Sequence, residues 1–180
     1  MEQRLVGIKD FEAQAAKNLP KAAYDYYRSG ANASVTLQDN VEAFKNIHLK
    51  PSIFSDTSAP ISTATTILGH AVQTPICIAS TAFHRMATAE GELATARAAN
   101  AYLKTPLKLS SWSTTALEDV AAQAPDSLKF FQIYLSKVAE VNQDLWARVR
   151  NAGYKALHLT IDTQILGKRE NDVRNGFQLP

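Results

Sequence analysis

A short apolar run that turns abruptly polar at its C-terminal end recurs along this chain, and it narrows the fold more than any other feature. The first, residues 76–82, is entered through Pro75 and reads Ile-Cys-Ile-Ala-Ser-Thr-Ala. Residues 106–111 end in a serine pair followed by Trp112, residues 128–134 end in Gln-Ile-Tyr, and residues 156–163 end in Thr-Ile-Asp-Thr. A run apolar on both faces suits a strand buried in a parallel sheet. Alanine-rich helical stretches separate the runs, so strand ends recur at roughly two to three dozen residues, the spacing that βα units require. In a parallel barrel the chemistry sits at the C-terminal strand ends. Function is therefore sought at these four polar tips.

The helical segments between the tips carry their own signals. Residues 90–102 are rich in Ala, Leu, Glu and Arg, all good helix formers. Thr115 with Glu118 three residues on reads as a capping box, followed by Leu117, Val120 and Ala121 as an apolar side. Val141, Leu145 and Val149 mark a third amphipathic helix ending at Gly153. Strand and helix alternate, the α/β pattern with right-handed crossovers.

Two helices precede this repeat. Phe11, Ala15 and Leu19 fall at helical spacing, with Asp10 as N-cap and Pro20 as a stop. The next helix runs from Ala22 to Arg28, with Gly30 beyond its end. Its three tyrosines, Tyr24, Tyr26 and Tyr27, read first as aromatic packing against the sheet. Residues 63–68, Gly69-His70 and residues 71–74 read as strand, turn, strand, a hairpin placed to plug one end of a barrel. After Asp162 the chain is polar and reads as a long loop.

Composition excludes several classes. A net charge of +2 with scattered Lys and Arg argues against nucleic acid or an anionic membrane surface. The single cysteine, Cys77, forbids an internal disulfide framework and reads as a small buried hydrophobe in its strand. No apolar run approaches about 18 residues, so no transmembrane helix is expected, and the start lacks the apolar core of a secretory signal. These features predict a soluble intracellular protein. Its glycines never form G-x-G-x-x-G, and Gly167-Lys168 lacks the upstream glycine of a phosphate loop. His48, His70, His84 and His158 are isolated in sequence and read as structural, with no metal site. At 180 residues the chain is also short for a closed barrel, which takes about 250.

What remains is a neutral polar set at the strand tips: Ser80 and Thr81, Ser110 with Trp112, Gln132 with Tyr134, and Thr160 with Asp162. Hydroxyls and amides without a charged cluster suit a planar heterocycle needing several neutral hydrogen-bond partners. Tyrosine and tryptophan add apolar walls with a polar tip.

With these residues assembled, the sequence resembles the FMN-dependent L-2-hydroxy-acid oxidases, the glycolate oxidase family, most closely the animal peroxisomal members. The resemblance is carried by Leu19-Pro20-Lys21, by 24–31 reading Tyr-Asp-Tyr-Tyr-Arg-Ser-Gly-Ala, by Thr66-Ile67-Leu68-Gly69 and by Pro75-Ile76-Cys77-Ile78-Ala79. It continues through Glu90-Gly91-Glu92, Thr95-Ala96-Arg97-Ala98, Leu109-Ser110-Ser111-Trp112, Phe131-Gln132-Ile133-Tyr134 and Leu159-Thr160-Ile161-Asp162-Thr163. It implies an α/β fold, the N-terminal half of a TIM (β/α)8 barrel. One partial domain would span 1–180, with helices and hairpin in 1–74 and the first four barrel strands in 75–180.

The resemblance also implies roles. Ser80, Thr81 and Ala82 would lie along the flavin near N5, and Ser110, Gln132 and Thr160 would hydrogen-bond the isoalloxazine edge. Tyr26 would donate its hydroxyl to the substrate carboxylate, Trp112 would wall that pocket, and Arg169 would add a cation. Tyr134 would contact the substrate 2-hydroxyl, and Asp162 would support a catalytic histidine. In the family that histidine, the carboxylate-clamping arginine, the flavin lysine and the phosphate segment belong to the second half of the barrel. The implied activity is oxidation of a small 2-hydroxy acid with oxygen as acceptor, in a peroxisomal homo-oligomer. This chain alone, lacking the base, is expected to be inactive. The alternative is a truncated non-catalytic relative, a weak flavin binder or interaction partner. One departure bears on the fold: residues 101–106 lack the glycine-containing turn usual in the family, which removes an easy helix C-cap.

Overall fold

The computed structural model describes residues 4–54, 56, 58–162 and 164–180. In chain order the helices are α1 (Ile8–Asn18), α2 (Lys21–Arg28), α3 (Val35–Glu42), α4 (Glu92–Ala101), α5 (Leu117–Gln123), α6 (Ala139–Asn151) and α7 (Glu170–Arg174). The strands are β1 (Thr65–Ile67), β2 (His70–Val72), β3 (Leu107–Ser110), β4 (Lys129–Ile133) and β5 (Ala156–Leu159). Two compact units result. One comprises Met1–Ser55 with Ile165–Pro180, the other Asp56–Gln164.

The second unit contains the expected parallel repeat. β3, β4 and β5 form a parallel sheet in that order, with Leu107 opposite Lys129 and Phe130 opposite Ala156. The core lies between this sheet and the helices α4, α5 and α6. Leu107, Leu109, Phe131 and Ile133 from the sheet meet Ala96, Ala99, Leu117, Val120 and Val149 from α4, α5 and α6. Each large side chain removed from water there contributes roughly 1.5–3 kcal/mol. Tyr154 joins them, its ring edge-on to Phe131 and its hydroxyl donating to the Leu117 carbonyl at 2.9 Å.

The hairpin forms, with shorter strands than the sequence suggests and its turn one residue earlier, at Leu68-Gly69 rather than Gly69-His70. β1 and β2 pair antiparallel, Thr65 opposite Val72 and Ile67 opposite His70. Leu68 (φ 51°) and Gly69 (φ 80°) are both left-handed, the backbone of a two-residue I′ turn. β2 borders a cleft of about 970 Å³ together with the loops that lead into β4 and β5, at the N-terminal end of the strands.

Several local expectations are corrected. The run 76–82 is not a full strand: Ile78 alone bridges Leu107, with its N–H on the Pro106 carbonyl and its own carbonyl accepting from Lys108. Pairing on one side only fixes one residue of the run, and Ile76 and Cys77 stand exposed rather than buried. The Thr115–Glu118 capping box does not form. α5 begins at Leu117, the Thr115 hydroxyl donates to Glu92, and Glu118 pairs with Arg148.

In the first unit Gly7 caps α1, and Asp10 sits inside the helix, where its carboxylate accepts the N–H groups of Val6 and Gly7. α2 leaves through Ser29 in extended backbone, and Gly30 adopts no left-handed conformation. The three tyrosines are half-buried, not core. The polar tail is not all loop, because residues 170–174 close into α7.

The missing glycine after α4 leaves a visible mark. Leu103 (φ 54°) and Lys104 (φ 46°) are consecutive left-handed residues between the helix and β3. A side chain pays for that conformation in steric crowding.

Candidate functional site

The polar tips of the parallel strands meet on one side chain. Gln132, at the end of β4, is 6% exposed. Its carbonyl oxygen accepts the Ser110 hydroxyl at 3.2 Å, the Ser111 N–H at 3.2 Å and the Ser111 hydroxyl at 3.4 Å. Its amide nitrogen donates to the Thr160 hydroxyl at 2.9 Å, just past the end of β5. The Ser110 oxygen in turn accepts the Trp112 N–H at 3.1 Å. Parallel register dictates this convergence, since Ser110 stands opposite Gln132 and Gln132 opposite His158.

An aromatic row stands beside the polar chain. Phe83 stacks on Trp112, with ring centres 5.8 Å apart and planes 16° apart, and Trp112 meets Tyr134 at 5.4 Å and 39°. The Phe83 N–H donates to the Trp112 carbonyl at 3.0 Å, so the residues directly after Ser80, Thr81 and Ala82 are tied to the tip of β3. Thr81 is exposed, and Ser80 and Ala82 are half-buried. Asp162 is exposed in the bend two residues beyond Thr160, and Thr163 lies outside the described residues.

Tyr26 and Arg169 belong to the other unit and lie together there. The Arg169 guanidinium sits 4.8 Å from the centre of the Tyr26 ring, donates to the Tyr26 carbonyl and ion-pairs with Asp172 at 2.7 Å. Phe177 stacks on Tyr26 at 4.9 Å. Beneath them the Asp25 carboxylate takes Lys21 and the Asn175 amide, and these two hydrogen bonds hold its pKa below the usual carboxylate range.

Three participants escaped the sequence reading. Ser111 gives Gln132 two donors, Phe83 supplies an aromatic face, and Glu92 ties their loops together. Glu92 is 1% exposed. Burial pushes its carboxyl up, but the Thr114 hydroxyl, the Thr114 N–H and the His84 N–H outweigh burial and hold it at about 2. A carboxylate in the first turn of an alanine-rich helix, directly after a glycine, was the available signal.

The tips keep donors to spare. Among the described residues Gln132 uses one of its two amide hydrogens, on Thr160, and the Thr160 hydroxyl, accepting there, still has its own proton to give. Neutral donors on adjacent tips, beside a stacked aromatic row, fit the acceptor edge of a flat heterocycle. The cleft of about 970 Å³ bordered by the hairpin lies at the opposite strand ends, whereas in parallel barrels chemistry belongs to the C-terminal ends.

Comparison with known proteins bears on the family and the fold. Human 2-hydroxyacid oxidase 1 is 46% identical over 180 residues, covering 100% of this chain and 48% of its own length. Glycolate oxidase 1 of Zea mays is 46% identical over 176 residues, covering 98% and 47%. Among solved structures, the flavin-binding domain of baker's yeast flavocytochrome b2 superposes with a TM-score of 0.92 at 32% identity, covering 96% of this chain and 45% of that one. A mandelate oxidase variant with (S)-mandelic acid gives 0.91 at 30% identity, covering 98% and 52%. The chain thus spans about half the length of the relatives it matches, and its parallel strands and helices are an arc of their barrel. The FMN-dependent dehydrogenase family model matches residues 15–180, and with the strand-tip arrangement alongside it the chain belongs to that family.

Proposed function

We propose that this chain supplies the N-terminal half of an FMN-dependent (S)-2-hydroxy-acid oxidase, which converts a small 2-hydroxy acid such as glycolate, with oxygen, to the 2-oxo acid and hydrogen peroxide. The observation that carries the reading is Gln132 joining the tips of β3 and β5 by hydrogen bonds on both sides of its amide. Bound FMN supplies the two-electron acceptor, which no side chain of this composition can provide. Gln132 and Thr160 would hold the isoalloxazine edge through their spare donors, Ser110 would join them there by turning its hydroxyl away from Gln132, and Ser80, Thr81 and Ala82 would run along the ring near N5.

Tyr26 donates its hydroxyl to the substrate carboxylate, and Arg169 adds positive charge beside it. Trp112 walls the pocket. Tyr134 donates to the oxygen at the reacting carbon, where negative charge develops as the carbonyl forms. Asp162 orients and supports the protonated form of a histidine base. That base is assigned to the second half of the barrel, so proton removal from the substrate is not assigned to any residue of this chain. Peroxisomal location and homo-oligomeric assembly of the whole enzyme are proposed on the sequence resemblance alone.

A second reading, a non-catalytic relative that binds flavin weakly or serves a partner, rests on the neutral donors and acceptors that make up the strand-tip cluster among the described residues. Titrating FMN with the purified 180-residue chain, while following flavin fluorescence and peroxide release with glycolate, tests both. Saturable quenching without peroxide supports the pocket and its missing base. No quenching at any concentration overturns the pocket assignment, and steady peroxide release overturns the assignment of the base. Sequencing the transcript downstream separates the two readings, since the oxidase requires a following half with histidine and arginine on one strand-end loop.

A further inference from the structure

Behind the aromatic row lies a buried carboxylate whose four hydrogen-bond partners are all neutral. Glu92 Oε1 accepts the His84 N–H at 3.0 Å and the Thr114 N–H at 2.9 Å. Oε2 accepts the Thr114 hydroxyl at 2.6 Å and the Thr115 hydroxyl at 2.8 Å. His84 belongs to the turn after the run 76–82, and Thr114 and Thr115 belong to the loop after β3. The Thr114 oxygen also accepts the Arg85 N–H at 3.2 Å, which binds the two loops a second time.

Phe83 and Trp112 stand at the front of those loops. Phe83 is left-handed (φ 57°, ψ 48°), a conformation that a bulky residue keeps only when its surroundings hold it. Its N–H is fixed by the Trp112 carbonyl, and the next N–H, that of His84, by Glu92. Gly91 makes the close approach possible: a Cβ there would lie 2.6 Å from Arg85 Cγ and 3.1 Å from the Arg85 nitrogen.

We propose that Glu92 is a positioning residue, whose carboxylate sets the Phe83–Trp112 stack and through it the fit of the pocket at the strand tips. The proposal rests on the reading of those tips as the flavin and substrate pocket. A carboxylate suits the task because it only accepts, and all four groups aimed at it can donate. In Glu92→Gln one acceptor becomes a donor facing two threonine hydroxyls. Those hydroxyls must turn around, and the Thr114 oxygen already holds the Arg85 N–H.

The test uses the full chain in a Trp146→Phe background, which leaves Trp112 as the reporter of its two tryptophans. Three variants are compared: Glu92→Gln, Thr115→Val, which removes one donor, and Glu118→Gln, which breaks the surface pair with Arg148. Near-ultraviolet circular dichroism and Trp112 emission report the stack, FMN titration reports the pocket, and thermal melting reports the fold. The expected result for Glu92→Gln is a cooperative melt, a weakened Trp112 band, red-shifted emission and an FMN Kd raised about tenfold. Thr115→Val moves the same readouts less, and Glu118→Gln moves neither.

A lowered melting temperature with Trp112 spectra and Kd unchanged in both core variants gives Glu92 a purely structural role and overturns the proposal. Should Glu92→Gln fail to fold, Thr115→Val decides by the same readouts. Should the unsubstituted chain take up no FMN, the flavin reading fails, and the Trp112 spectra still decide the role of Glu92.

Discussion

The Gln132 side-chain amide donates to the Thr160 hydroxyl at 2.9 Å, and its other end takes three donors from Ser110 and Ser111. Gln132→Leu keeps the volume but leaves those buried groups unpaired. The expected outcome is a loss of about 1–3 kcal/mol in urea unfolding and a drop of about tenfold or more in FMN affinity. Gln132→Leu with unchanged flavin binding would remove this residue from the pocket.

Leu103 and Lys104 hold left-handed backbone that the family's glycine turn would adopt freely. Lys104→Gly is expected to raise stability by about 0.5–1 kcal/mol, because relief of crowding outweighs the added freedom of the unfolded chain. Its exposed side chain pairs with Asp126 only at 3.6 Å, so little is lost with it. Thermal melting checks the sign.

Tyr154 is buried, and burial raises its hydroxyl pKa beyond the ordinary tyrosine range, which keeps it a donor to the Leu117 carbonyl. Tyr154→Phe retains the ring contact with Phe131 and removes the hydrogen bond to that carbonyl. A loss of about 1 kcal/mol in a denaturant midpoint is expected, with no change in the Trp112 spectrum.

Glu92 sets part of the acid limit of the fold. Its carboxyl is held at about 2 in the folded chain against an ordinary value of 4.5. A depressed folded pKa gives stability that is present above the unfolded value and is lost as pH falls through 4.5 toward 2. Asp25, lowered chiefly by its hydrogen bond to Lys21, acts with the same sign. Urea midpoints measured across that interval should fall less steeply in Glu92→Gln than in the unsubstituted chain.

The sheet was legible in the sequence because apolar runs and polar tips follow from local pattern, and the pairing of Ser110 with Gln132 follows from parallel register. The hairpin was legible from Gly69-His70, although the turn itself takes Leu68 and Gly69. Contacts made across the fold were not. Thr115 and Glu118 match a capping box at their spacing, yet a buried carboxylate 23 residues upstream takes the threonine hydroxyl. Residues 76–82 read as a buried strand, but strand formation depends on neighbours that a linear pattern does not supply. α7 was hidden because five residues with a single apolar one, Val173, carry no apolar periodicity.

Among the described residues β5 is paired to β4 on one flank alone, and Leu157 and Leu159 remain 42% and 49% exposed. Its outer amides and carbonyls form an open ladder alongside greasy side chains, a template that invites stacking between molecules. Handling this polypeptide is therefore a contest between folding and precipitation, and dilute, low-temperature expression or a charged residue introduced at Leu157 should decide how much of it stays in solution.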